Sequence, residues 1–261
     1  MICAITGSNG VLGTNFIKQF PNITFVKYKY NLTEKLKLKK WIKNNNFDYF
    51  LHFAAIVPIN EVNADYQYAK KINYNTVKII IRELKKKKKK IWFFFSSTSH
   101  VYRFSKKKLK ENSVKNPINK YGRLKLMAEK YIIKNCTNTN IIYCIGRIFS
   151  FTHKTQNKKF FIPSVFLQKA KQINTLRDFI DIRDICSCIM LLMSKKKKGI
   201  FNIGSGSGVN LIKIISLIQN KKINMSVPPK NNLVADITKV KRLGWKKKYN
   251  IQDIIKEYRK K

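Results

Sequence analysis

Tyr121 and Lys125 stand four residues apart in "YGRLK", inside a stretch that reads as a helix. Positions i and i+4 of a helix share a face, so a phenol and an ammonium there can meet in one cleft. A nearby cation stabilises phenolate and lowers the tyrosine pKa toward a value useful for proton transfer. The spacing alone is common, and Tyr121 also falls on an apolar stripe with Leu124, Ala128 and Ile132, as a plain core tyrosine would. A third element lies upstream. In "SSTSHVY" the hydroxyl of Thr98 follows an apolar run that reads as a strand. Ligands collect beyond the carboxyl ends of parallel strands, and a hydroxyl there can hydrogen-bond a substrate oxygen.

The chain opens with "TGSNGVLG", which places Gly7, Gly10 and Gly13 in a G-x-x-G-x-x-G spacing between a strand and a helix. Glycine lets the backbone turn tightly and approach a pyrophosphate, whose charge the helix N-terminus then stabilises. The competing reading is an ordinary strand-to-helix turn.

These residues need elements to hold them. "MICAIT", "ITFVKY", "FDYFLHFAA", "IWFFFSS" and "NIIYCIGRIF" read as five strands, separated by helix-like stretches. Thr33 is the expected N-cap of a helix carrying Leu36, Trp41 and Ile42 inward. The stretch from Tyr66 to Leu84 reads as one long helix with Tyr68, Ile72, Val77, Ile80, Ile81 and Leu84 facing the core. Continuously apolar strands alternating with helices predict a parallel sheet covered on both faces. After Phe149 the rhythm breaks. A loop and helix are followed by strand, turn and helix with Asp184 as expected N-cap, then by strand, glycine loop and helix capped by Asn210.

Composition bounds the partners. The 261 residues carry 55 basic and 13 acidic side chains, a net charge of +42, yet 44% are hydrophobic, so a sizeable core is expected. Such a charge suggests a polyanion. The abundance of Lys, Asn, Ile, Phe and Tyr, all encoded by A/T-rich codons, offers a compositional origin instead. The lysine runs 85–90 and 195–198 each follow an expected helix, where cations suit the dipole and loops meet water. Five cysteines without a C-x-x-C pair, and three histidines without ligand spacing, predict neither a disulfide framework nor a metal site. The expected compartment is the reducing cytoplasm. The glycine turn begins too early to leave room for a leader, and no apolar run approaches a membrane span.

Taken in order, the motifs resemble the extended short-chain dehydrogenase/reductase family, the NAD-dependent epimerases and dehydratases that modify nucleotide sugars. The likeness extends over nearly the whole chain: the glycine turn, "HFAA" at 52–55, Asn73, Thr98 three residues before "VY", "YGRLK", "GRIFS", "RDFIDIRDI", "FNIGSGSGVNL" and a C-terminal "LGW". The fold this implies is α/β, a Rossmann-type doubly wound parallel sheet with a smaller C-terminal substrate-binding lobe. Residues 1–149, rejoined by 176–203, would form the NAD(P)-binding domain, and 150–175 with 204–261 the smaller lobe. The resemblance assigns Tyr121 as acid/base, Lys125 as its partner and ribose anchor, and Thr98 as the hydrogen-bonder of the reacting oxygen. Gly7, Asn9, Gly10, Val11, Leu12, Gly13, Asn31, Ala54, Ala55 and Asn73 would contact the NAD or NADP cofactor together with Tyr121 and Lys125. Ser150 and Arg177 would contact the nucleotide-sugar substrate. For Arg177 the bland alternative is a salt bridge with Asp178 or Asp181.

Departures shape the expected activity. Asn31 replaces a frequent aspartate, and no acid ends the second strand near Lys27 and Lys29. A carboxylate there repels a 2′-phosphate, so its lack tilts toward NADP. Ser99 and His100 stand where dehydratases have an Asp-Glu pair, which argues against dehydration. The expected activity is that of a nucleotide-sugar epimerase or keto-sugar reductase. Relatives often pair as homodimers through two helices. No nucleic acid is expected as partner. The rival is a Rossmann-fold protein with a basic nucleic-acid-binding surface and lost or secondary catalysis.

Overall fold

The computed structural model describes residues 1–170, 174–220, 229 and 231–259. Six strands, β1 (Ile2–Thr6), β2 (Thr24–Lys27), β3 (Tyr49–His52), β4 (Ile91–Thr98), β5 (Ile141–Ile148) and β8 (Gly199–Ile203), form one sheet in the order β2-β1-β3-β4-β5-β8. Every pairing in it is parallel. The chain order reverses between β1 and β3, which makes a crevice at their carboxyl ends, the position where doubly wound sheets bind ligands.

The block "IWFFF" shows how both faces are filled. Trp92 and Phe94 pack in a core with Phe16, Ile185, Leu192 and Phe201. Phe93 and Phe95 point the other way, into a core with Leu38, Ile42, Val77, Ile81 and Ile132. All eight residues of β4 are buried, and each buried aromatic of this kind stabilises by roughly 1.5–3 kcal/mol. The helices responsible are α1 (Val11–Gln19) and α8 (Ile182–Ser194) on one face, and α2 (Lys35–Asn44), α5 (Thr76–Lys85) and α6 (Lys120–Cys136) on the other.

A smaller sheet pairs β7 (Thr175–Asp181) in parallel with β6 (Ser150–Thr152) and β10 (Asn231–Leu233), and antiparallel with β9 (Gly208–Asn210). Asp178 is buried in β7 and accepts the backbone N–H groups of Ser205 (2.7 Å), Gly206 (3.0 Å) and Ala235 (3.0 Å). One carboxylate thus anchors the glycine loop and the segment that follows β10. Beside this sheet, α7 (Phe161–Phe166), α9 (Leu211–Gln219) and α11 (Ile251–Arg259) enclose a separate small core.

Several local expectations change. The long helix from Tyr66 is α4 (Tyr66–Lys70), one π-helical turn at Lys71–Asn75, and α5. Thr76 Oγ1 donates to Lys71 O five residues back, filling the widened turn. Tyr68 is exposed, not inward. Leu36 is 80% exposed because Leu38 and Ile42 carry the buried face of α2. That helix is N-capped at Glu34 rather than Thr33, whose hydroxyl and N–H both bind Asn31 Oδ1. Asp181, not Asp184, caps α8, and Asp184 instead accepts from the N–H groups of Lys248 and Tyr249. Asn210 caps α9 as expected. Among the described residues no helix is long and apolar enough to cross a membrane, and no cluster of His, Cys, Asp and Glu could hold a metal.

Candidate active site

The carboxyl ends of β1, β3, β4 and β5 open on a cavity of about 860 Å³. On one side of it lies the glycine turn. Gly7 has φ +76°, and a Cβ there would come within 2.5 Å of Ala54 N, so this glycine lets β1 turn against the loop after β3. A Cβ on Gly13 would meet Gly7 O at 2.1 Å, so α1 packs directly on the turn. Gly10, by contrast, meets little protein, its nearest atom being Gly7 O at 3.4 Å. It is the N-cap of α1 and supplies no capping side chain, which leaves the N-terminus of that helix bare toward the cavity. A bare helix N-terminus behind a small loop suits a phosphate-bearing ligand.

On the opposite side, α6 presents Tyr121 and Lys125. Asn119 caps the helix by accepting the Gly122 N–H at 2.8 Å. A side chain on Gly122 would place its Cβ 2.3 Å from His100 O, so glycine lets α6 close onto the short turn Ser99–Val101 that follows β4. That close approach sets the phenol of Tyr121 beside Thr98, whose side chain acts on its pKa. Thr98 Oγ1 also accepts the His100 N–H at 3.2 Å.

Lys125 is buried. Its ammonium donates to Ser96 O at 2.8 Å, lies 4.7 Å from the Phe95 ring centroid and 5.9 Å from that of Tyr121. Burial pulls its pKa down to about 7, against the opposing pull of Glu129. The Tyr121 pKa is raised well above its ordinary value by burial, and only the Thr98 side chain draws it back. The expected lowering of Tyr121 by Lys125 is therefore not the balance in this structure. The amine is turned to the Ser96 carbonyl, and desolvation outweighs the charge.

Glu129, one turn beyond Lys125, is the part that sequence reasoning missed. It forms a buried pair with Arg147 (Nη2 to Oε2 2.7 Å) and accepts from Ser97 Oγ at 2.5 Å. Arg147 continues to Tyr102 Oη (2.9 Å), which donates to Asn202 Oδ1 (2.6 Å). This network ties α6, β4, β5 and β8 together beneath the Thr98–Tyr121 pair. A carboxylate four residues after Lys125 was the available signal.

Gly7, Gly10, Val11, Leu12, Gly13, Asn31, Ala54 and Ala55 line the cavity, as do Thr98, Tyr121, Lys125 and Ser150. Asn9 does not. Asn73 does not either, because its amide exchanges two 2.9 Å hydrogen bonds with the backbone of Ile56 and so holds the loop after β3. Arg177 also lies off the lining. Its guanidinium donates to Leu176 O and Asn231 O and sits over Phe104, with neither Asp178 nor Asp181 as partner. Beyond Ser150, polar groups come from Gln156, Asn157 and Lys159, none of which carried a sequence signal.

A family model described as "NAD dependent epimerase/dehydratase family" matches residues 3–204. UDP-arabinose 4-epimerase 1 of Arabidopsis thaliana is 22% identical over 273 residues, 88% of this chain and 65% of that protein. The dTDP-4-dehydro-6-deoxyglucose reductase of Escherichia coli is 31% identical over 173 residues, 58% of this chain and 54% of that one. The chain spans only 63% and 65% of the length of two plant relatives it matches. The fold is that of the Thermus thermophilus UDP-glucose 4-epimerase, solved as a complex with NAD, at a TM-score of 0.87 and 14% identity over 100% of this chain and 99% of that one.

Proposed function

The chain belongs to the NAD-dependent epimerase/dehydratase family, and from that premise we propose that it is an NAD(P)-dependent nucleotide-sugar epimerase or keto-sugar reductase. The observation that carries this is the convergence of Thr98, Tyr121 and Lys125 on the cavity that the glycine turn also lines. Residues 1–149 with 176–203 hold the dinucleotide, and 150–175 with 204–261 the nucleotide sugar. The glycine turn and the N-terminus of α1 take the pyrophosphate, and Asn31, Ala54 and Ala55 the adenosine side. Lys125 anchors the ribose. The nicotinamide, when bound, supplies the hydride acceptor and donor.

The protein's own share is proton handling and placement. Thr98 orients the reacting sugar oxygen toward Tyr121. Tyr121, held as the neutral phenol, donates its proton to the oxygen of a keto sugar. In the reverse direction it accepts the hydroxyl proton, and a cationic Lys125 stabilises the phenolate this requires. Ser150, Gln156, Asn157 and Lys159 form the polar end for the nucleotide diphosphate. An epimerase performs both directions on one substrate and keeps its cofactor, whereas a reductase performs one and exchanges it. The lack of an acid near Lys27 favours NADP and hence a reductase.

Family membership supports this reading and not the nucleic-acid-binding rival. Five buried, unpaired thiols fit a reducing cytoplasm, and a homodimer is part of the reading. The test is to denature the purified protein and identify the nucleotide released. Retained NAD selects the epimerase, and an empty protein that binds NADPH selects the reductase. Tyr121→Phe should lower turnover at least ~100-fold, the usual contribution of a positioned acid/base, and leave dinucleotide affinity unchanged. Failure of both dinucleotides to bind at millimolar concentration, or full activity in that variant, overturns the reading.

A further inference from the structure

One imidazole in the cavity has no part in the chemistry above. His100 follows Thr98 on the turn Ser99–Val101 and lines the same cavity. Its ring stands edge-on to Tyr121, with centroids 6.0 Å apart and planes at 86°.

The hydrogen bonds around His100 fix its tautomer. Asn119 Oδ1 accepts the Gly122 N–H at the start of α6. With the amide oxygen so committed, its nitrogen is the atom 2.9 Å from His100 Nδ1. An amide NH₂ can only donate, so Nδ1 is the acceptor and the ring proton belongs on Nε2. A second proton on Nδ1 would face an N–H donor. Burial, with the Arg177 cation nearby, also holds the pKa down to about 4. His100 is thus a neutral ring with its single lone pair occupied and one free donor.

We propose that His100 is a positioning and specificity residue, whose Nε2–H donates to a second oxygen of the sugar beside the one held by Thr98 and Tyr121. This rests on the nucleotide-sugar reading above. The ligand chemistry it selects is a hydroxyl or carbonyl oxygen. A carboxylate at this place could remove a proton from carbon and start an elimination. A neutral imidazole whose lone pair is held by Asn119 cannot, so the turn restricts the site to exchange at one carbon.

The test uses the full chain with UDP-glucose and dTDP-4-dehydro-6-deoxyglucose as probes, and whichever is turned over is carried forward. His100→Phe keeps the ring's bulk and removes the donor. It should lower kcat/KM about 10–100-fold, the worth of one buried hydrogen bond, with dinucleotide Kd within about two-fold of wild type. His100→Gln restores an N–H near the Nε2 position and should recover most of that loss. In ¹⁵N spectra of the wild type, the His100 resonances should show the neutral Nε2–H tautomer at pH 7. A fully active His100→Phe overturns the inference, as does an Nδ1–H tautomer. So does a glutamine variant as impaired as phenylalanine with weakened dinucleotide binding, which marks a structural role. If Tyr121→Phe is inactive while His100→Phe is fully active, this inference alone fails; if Tyr121→Phe is active, the underlying reading fails.

Discussion

Around the cavity, burial decides which side chains carry charge. Lys125 drops to about 7 and Tyr121 rises, while His52 is held down to about 3. His52 ends β3 with Nδ1 2.6 Å from Thr6 Oγ1, its ring stacked on Phe95 and its Nε2 without a partner. His52 and His100 are both neutral in the folded chain and must take up a proton when it unfolds in acid. Their folded pKa values lie below the ordinary 6.5, so from about pH 6.5 downward the unfolded chain binds protons that the folded chain refuses, and stability falls with pH. Each should remove about 1.4 kcal/mol per pH unit below its unfolded pKa. Urea unfolding between pH 7 and 5 measures the slope, and His52→Gln should make it shallower; an unchanged slope would refute the assigned protonation state. The residues legible in the sequence were those whose geometry is local. The i,i+4 spacing of Tyr121 and Lys125 and the glycine turn survive folding unchanged. Asn73 and Glu129 were not legible in their roles, because their partners, Ile56 and Arg147, come from other elements.

At the scale of elements, the alternation of apolar runs with helix-like stretches predicted the parallel sheet, since a strand buried on both faces must be apolar throughout. Element ends were less legible. Capping at Glu34 or Asp181 depends on which turn the chain can close against its neighbours, and the π turn before α5 has no periodicity of its own. The lysine run at 85–90 shows a related effect. Sequence reasoning placed it at a helix end in water, and most of it is exposed. Lys87, however, reaches back to α2 and donates to Lys43 O and Asn45 O, both at 2.9 Å, over the ring of Phe47. It satisfies carbonyls at the C-terminus of a helix distant in sequence. Lys87→Met keeps the stem and removes the cation, and should cost about 1 kcal/mol, the upper range for a charge at an exposed helix end. For a chain of this size that is a fall of about 2–4 °C in Tm. Lys88→Met, with the next side chain exposed, is the control; equal effects from both would dismiss the capping role.

Over the whole molecule, the charge of +42 has few acids to offset it. Five ion pairs occur among the described residues, and one of them, Glu129–Arg147, is internal. Exposed lysines recur along the chain, at 35–43, 85–90, 106–108, 195–198 and 246–248. Like charges spread this way repel one another most when the chain is compact, so the folded state carries more of the cost than the unfolded one. Screening reaches about 30 Å at 0.01 M salt, on the scale of the domain, and about 10 Å at 0.1 M. Added NaCl should therefore stabilise this protein, with Tm rising by several degrees between 0.01 and 0.3 M, the reverse of what surface ion pairs alone would give. The same experiment bears on the charge as a binding device. Non-specific contacts to duplex DNA should vanish over that range as counterions compete, while dinucleotide affinity should fall far less. A Tm that stays flat or drops with salt would mean that the lysines are locally compensated and that the repulsion argument is wrong.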